Sequence, residues 1–207
     1  MAKFPDPPSP SELAKIAPVH RTLRKGVDLC RVHAVGGPFP SAWGEMRFFG
    51  PVEARFDHHL PPPSRQSRGI LYAALEERTC FAEAFQKARA INRRKHEPWL
   101  VRFRLARNVT LLDMTGTWPT RAGASMAIHS GPRARARKWS RAIYEAYPHV
   151  EGLWTCSSMH ANQHAAALYE RALDALPDDP TFHRALADPT LDRMIQQAAK
   201  EFGCLVV

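Results

Sequence analysis

Hydrophobic and polar positions alternate most clearly over residues 28–34, where Cys30, Val32 and Ala34 oppose Leu29, Arg31 and His33. Period-two alternation predicts a half-buried strand, with Arg31 and His33 together on its polar side. Residues 99–105 alternate in the same way, and 109–114 read as a hairpin partner or neighbouring strand. The apolar run 69–74 and the segment 152–157 read as buried strands, 165–173 as a further short element, and 204–207 as a terminal strand after Gly203. Short irregular strands are expected near 47–49 and 54–56. Helical spacing of Phe81, Ala84, Phe85, Ala88 and Ile91 predicts one long helix over 75–94. Further helices are expected at 120–129, 133–147 and 188–200. Ser9, Pro10 and Glu12 have the order of a helix cap, a first-turn proline and a capping-box acid. Gly36, Gly37, Pro38 and Pro40 make a loop, as do Leu60 to Ser64, because proline cannot donate to a sheet ladder. Strands at both ends of a few helices, without βαβ regularity, predict the α+β class.

A length of 207 residues, 44% of them hydrophobic, suffices for one substantial core. No apolar stretch reaches the roughly 18 residues of a membrane span, and the proline-rich start lacks the apolar segment of a secretory signal. Cys30, Cys80, Cys156 and Cys204 lie far apart with no CxxC spacing, so they are expected to be reduced in a cytoplasmic protein. A net charge of +9 favours polyanions or acidic partners without choosing among them.

The chain lacks GxGxxG, GxxxxGK[ST], GxSxG and HExxH, so dinucleotide-fold, P-loop, hydrolase and zincin mechanisms have no signature here. Cys156, His160 and His164 recur every four residues, but the strand at 152–157 separates the cysteine from the histidines, and no metal site is expected. These histidines, like the adjacent His58 and His59, read as surface residues. The basic runs 89–95 and 133–138, with Trp99 and Trp139 nearby, fit either a solvated helix face that meets an acidic partner or a nucleic-acid surface. Arg31 offers a fixed fork of donors to a phosphate or carboxylate. Periodicity by itself makes Tyr72 a core aromatic and Glu83 a surface carboxylate.

Taken in order, several segments resemble the RES domain: Leu29-Cys30-Arg31-Val32-His33, Ala54-Arg55-Phe56-Asp57, Gly69 to Ala74, and Phe81-Ala82-Glu83. Leu111 to Gly116 is similar to the family's LxDLTG segment, and Gly152 to Ser157 to its GIxYxS strand, with Thr155 where the family often has an aromatic. Of the arginine, glutamate and serine that name the family, the first two fall on Arg31 and Glu83. The third falls on Ser157 or its neighbour Ser158. The resemblance covers about residues 28–175, leaving 1–27 as a proline-rich extension and 176–207 as a helix and strand completing the domain.

The resemblance implies a core like that of ADP-ribosyltransferases, built of short, mainly antiparallel strands flanked by helices. It implies a toxin that attacks NAD+ at the nicotinamide–ribose bond, with water, phosphate or a protein side chain as acceptor. Glu83, Arg31 and Ser157 are then the catalytic candidates, and Arg31, Arg55, Tyr72 and Ser157 the NAD+-binding ones. A cognate antitoxin with a helix-turn-helix region is expected to cover the cleft, so that nucleic acid is met only through that partner. Modification of one host protein by ADP-ribose transfer is an alternative, and a basic RNA-binding or RNA-cleaving toxin is another.

Overall fold

A computed structural model describes residues 4–161 and 163–207; Met1–Lys3 of the expected extension lie outside them. Along the chain run α1 (Pro10–Leu13), β1 (His20–Leu23), β2 (Asp28–Ala34), β3 (Arg47–Gly50), β4 (Ser64–Ala74) and α2 (Glu77–Phe85). Next come β5 (Ala90–Ile91), β6 (Pro98–Arg104), β7 (Val109–Asp113), α3 (Trp118–Arg121) and α4 (Arg133–Ala146). They are followed by β8 (Gly152–Cys156), β9 (His164–Tyr169), β10 (Phe182–Ala185), α5 (Asp192–Phe202) and β11 (Leu205–Val206).

The main sheet runs β1-β7-β8-β9-β4-β2-β6-β10, with β3 added beside β4, and only the β7–β8 pair is parallel. This is the expected α+β class with a mainly antiparallel sheet. The sheet is two half-sheets joined at one point: β2 meets β4 through the single register pair Cys30–Ala74, while β2 pairs with β6 along its whole length. Below the seam one core joins the halves, with Leu29 and Phe103 from one packed beside Leu71 and Leu168 from the other. Under α4 lie Trp118, Trp139 and Ile143; on the opposite face of that half-sheet lie Leu71, Trp154 and Leu168; Phe81, Leu100 and Ile195 fill the second half.

The described residues before β1 belong to the packed body. Ser9 caps α1 and Glu12 answers with a bond to the Ser9 backbone N–H at 3.0 Å, as the capping box predicts. Beyond that short helix, Leu13 is fully buried, Phe4 stacks on Trp139, and the Trp139 indole N–H donates to the Pro5 carbonyl at 2.8 Å. β1 then closes one edge of the sheet against β7.

Several expectations are corrected. The helix predicted over 75–94 stops at Phe85: Arg89 takes a positive φ of 51°, and Ala90–Ile91 pairs in parallel with Leu205–Val206, burying Ile91 beside Leu100. Sheet pairing with the far end of the chain outweighs local helical periodicity. β7 neighbours β1 and β8 rather than β6. Residues 54–56 form a turn, and the helix expected at 120–129 is only α3 and a later single turn, parted at Gly123 with φ of 88°. The face of β2 read as polar is covered: Leu29 and His33 are buried, and the Arg31 guanidinium donates to the carbonyls of Trp43 and Glu45, both at 3.3 Å. His58 and His59 are not surface residues but 0% exposed. His59 Nδ1 and N–H both donate to Asp57 Oδ1, while the Asp57 Oδ2 accepts from Val52 N–H and Arg47. With every lone pair engaged, the Asp57 carboxylate is held well below its usual pKa range despite its burial, chiefly by the His59 bond.

Two outcomes check these statements. Leu13→Ala is expected to destabilise the protein by about 2–4 kcal/mol in denaturant unfolding, the cost of a cavity in a shared core rather than in a loose extension. His33 is buried against the Ser41 carbonyl, His183 and the charge of Arg31, and burial drops its pKa from 6.5 to about 4. The unfolded chain therefore takes up a proton between those values that the folded chain refuses, and stability falls as pH falls through that window. From about pH 7 to pH 5, wild type should lose about 2 kcal/mol more than His33→Phe, read from parallel denaturant curves.

Candidate active site

Where the half-sheets part, a cavity of about 490 Å³ opens between β2, β4, β8, α2 and the turn at 52–56. All five residues singled out in the sequence line it: Arg31, Arg55, Tyr72, Glu83 and Ser157. Arg31 follows Cys30, the residue that closes the seam between the half-sheets. Tyr72 precedes that seam on β4; its ring walls the cavity, and its hydroxyl is buried with no partner among the described residues. Burial holds the phenol well above its usual pKa, so it stays neutral. Arg55 projects from the turn that Asp57 pins, and its Nη1 donates to the Gly131 carbonyl at 2.5 Å. The arginine–phenylalanine–aspartate run thus divides its labour: Asp57 fixes the turn, Phe56 packs in the core, and Arg55 reaches the cavity.

Glu83 lies on the cavity side of α2, a face that the helical period alone assigns to solvent. Its Oε1 accepts the Ser157 hydroxyl at 2.6 Å and the Ser158 backbone N–H at 3.0 Å. Ser157 is itself fixed, its Oγ accepting from the N–H groups of Met159 at 3.1 Å and His160 at 3.0 Å. With both lone pairs occupied by donors, the one hydroxyl proton points at Glu83. Ser157 is thus the serine whose side chain meets Glu83; Ser158 is exposed and offers only its backbone. A charge-assisted O–H···O bond of this length orients the carboxylate firmly.

Three cavity residues carried no signal of their own in the sequence: Gln86, His129 and Arg133. Arg133 belonged to a basic run, and Gln86 stands one helical turn after Glu83, but only the fold brings them together. Gln86 Nε2 donates to the Glu83 backbone carbonyl at 2.7 Å and to Glu83 Oε2 at 3.2 Å. Its Oε1 accepts from Arg133 Nη2 at 2.6 Å. His129 Nε2 lies 2.9 Å from the Met114 carbonyl, to which it donates, and Nδ1 accepts the Cys156 N–H at 3.3 Å, an assignment that follows from those partners. Burial lowers the His129 pKa and keeps the ring neutral.

The charge pattern is lopsided. Among the described contacts, Arg31, Arg55 and Arg133 are each held by neutral carbonyl oxygens rather than by a carboxylate. Glu53, an acid on the rim, is engaged by Lys87 at 2.8 Å. A cavity with three guanidiniums that no carboxylate hydrogen-bonds among the described contacts, and with one oriented carboxylate, suits a ligand bearing several negative charges and one local positive centre.

Other candidates do not join the site. His160 bridges Thr79 at 2.9 Å and Glu201 at 3.4 Å, and His164 stacks on Trp154. In the first basic run, Arg93 bonds the Leu186 carbonyl and pairs with Asp192, and Arg89 caps the Phe202 carbonyl. Trp139 is fully buried, so it cannot stack on bases, and Trp99 is half-buried with its ring 4.6 Å from that of His183.

A family model described as the RES domain matches residues 28–189. A search of curated proteins finds no match. Among solved structures, the chain is similar to a chain of the M. tuberculosis MbcT–MbcA toxin–antitoxin complex, with a TM-score of 0.57 and 14% identity over 91% of this chain and 97% of that one. That likeness bears on the fold, whereas the family match spans most of the sequence and takes in each of the five residues. The chain belongs to the RES domain family.

Proposed function

We propose that the protein is the toxin component of a toxin–antitoxin system and consumes NAD+ by cleaving its nicotinamide–ribose bond. The observation that carries this reading is the pairing of the Ser157-oriented Glu83 carboxylate with guanidiniums that no carboxylate bonds among the described residues, inside one cavity. NAD+ matches that pattern, since a diphosphate carries its negative charge and the nicotinamide ring its positive charge. Cleavage passes through an oxocarbenium-like state, in which positive charge builds on the ribose ring as the bonding pair leaves with nicotinamide. Glu83 faces that charge and holds the ribose 2′-hydroxyl, while Ser157 keeps the carboxylate aimed. Arg31 and Arg55 bind the phosphates, and the Tyr72 ring lies against the nicotinamide or ribose. The acceptor then bonds to the anomeric carbon: water or a protein side chain loses its proton to solvent, and inorganic phosphate attacks through an oxygen that is already anionic. A protein acceptor would make the chain an ADP-ribosyltransferase.

A free enzyme of this kind depletes its host, so a partner must occlude the cleft. A solved structure of similar fold is a complex of a toxin with its antitoxin. The net charge of +9 favours an acidic antitoxin, with a helix-turn-helix region as the link to DNA. No helix among the described residues is long and apolar enough to cross a membrane.

The test is NAD+ concentration over time with purified protein, in buffer, with added phosphate, and with cell lysate as acceptor source. Wild type should consume NAD+ in at least one arm. Glu83→Ala should slow that loss by about 10²–10³-fold and Ser157→Ala by about 10-fold, the range for removing a charge-stabilising group and its aligner. Loss in buffer identifies water as acceptor, loss only with phosphate a phosphorylase, and a labelled protein band with lysate a transferase. An intact NAD+ pool in every arm sinks the reading.

A further inference from the structure

Arg133 and Gln86 stand outside the motifs that single out the cavity, yet they form a continuous polar link to Glu83. The Gln86 amide has only one workable orientation. With its nitrogen toward Glu83 and its oxygen toward Arg133, it donates to the carboxylate and accepts from the guanidinium. Turned over, it would set oxygen against carboxylate and N–H against N–H. The amide sits at the end of α2 and is tied to the Glu83 backbone carbonyl, so its position is fixed by the helix itself.

On the facing side, Arg55 bonds the Gly131 carbonyl two residues before Arg133, which brings the two guanidiniums to one stretch of cavity wall. The proximity is also felt electrostatically: burial lowers the Arg55 pKa, and the Arg133 charge is the next contributor. The two cations are hydrogen-bonded by neutral carbonyls, and the nearby carboxylates Glu53 and Glu83 bond Lys87 and Ser157 rather than either guanidinium, so an anion between the two would relieve their repulsion.

Resting on the NAD+ reading above, we propose that Arg133 joins Arg55 in a two-guanidinium clamp for the diphosphate of a nucleoside-diphosphate ligand. Gln86 is the positioning residue that holds this clamp and Glu83 in register. Arg133 touches phosphate; Gln86 acts through its two neighbours. Closure of the clamp on a diphosphate is then transmitted through one amide to the carboxylate that faces the ribose.

The experiment compares wild type, Arg133→Ala and Gln86→Ala by ADP binding in calorimetry and by turnover of NAD+ and nicotinamide riboside. The riboside carries the same scissile bond and no diphosphate. Arg133→Ala should weaken ADP binding about 10-fold or more and raise KM for NAD+ similarly, with a clearly smaller loss on the riboside, which lacks the diphosphate and feels only the looser Gln86. Gln86→Ala should lower kcat on both substrates and also weaken ADP binding. Equal ADP affinity in wild type and Arg133→Ala, or equal losses on NAD+ and riboside, overturns the clamp. An unchanged kcat in Gln86→Ala overturns its positioning role. Should Arg133→Ala melt below the assay temperature, Arg133→Gln, which keeps a donor for Gln86 and removes the charge, gives the same reading. Absence of ADP binding by wild type also overturns the clamp. Arg133-dependent ADP binding by a wild type that leaves both substrates intact keeps the clamp and rejects the cleavage reaction.

Discussion

The structure depends on one narrow seam. β2 and β4 share a single register pair, Cys30 with Ala74, and diverge on either side of it. Continuous pairing there would close the sheet and leave no room for a ligand. Parting the strands leaves backbone groups short of ladder partners, and the molecule answers with thiols: Cys30 Sγ lies 3.3 Å from the Ala74 carbonyl and Cys80 Sγ 3.1 Å from the Cys30 carbonyl. These contacts also bring α2 against β2. Arg31 follows one of these cysteines and Glu83 stands three residues after the other, so the spacing between cation and carboxylate is set where the seam is closed.

The two kinds of charge are treated differently around that seam. The carboxylate is gripped by donors, from Ser157, the Ser158 backbone and Gln86, which fix its direction before any ligand arrives. The guanidiniums are gripped by neutral acceptors, which fix their position without neutralising them. An arginine paired with an aspartate is a structural strut; an arginine hung from carbonyls keeps its charge for something else. Asp57 shows the contrast, since it spends its whole acceptor capacity on Val52, His59 and Arg47 to hold the turn beneath Arg55. In that role the carboxylate is scaffold, although it sits beside a residue of the site.

At 14% identity to the solved toxin chain, little sequence is shared, yet the two folds superimpose over nearly the whole of both. The lead-in before β2 has a duty: Phe4, Pro5 and Leu13 close the core over Trp139, and their removal would expose the helix that presents Arg133.

Local rules were enough for much of the fold. Alternation located β2 and β6, the serine cap located α1, and the order of short motifs picked out Arg31, Arg55, Tyr72, Glu83 and Ser157, which share one cavity. These features were legible because strand pleat, cap geometry and motif spacing act over a few residues. The rest was settled at long range. α2 ends at Phe85 because residues 90–91 pair with the last strand, more than a hundred positions away. His58 and His59 are buried because Asp57 and the core enclose a turn that looks polar in one dimension. Ser157 rather than Ser158 reaches Glu83 because the backbone amides that follow lock its hydroxyl. Gln86 and Arg133 gained meaning only when α2 and α4 were packed on the two sides of one cleft, since a hydrogen bond depends on distance in space and not on separation along the chain.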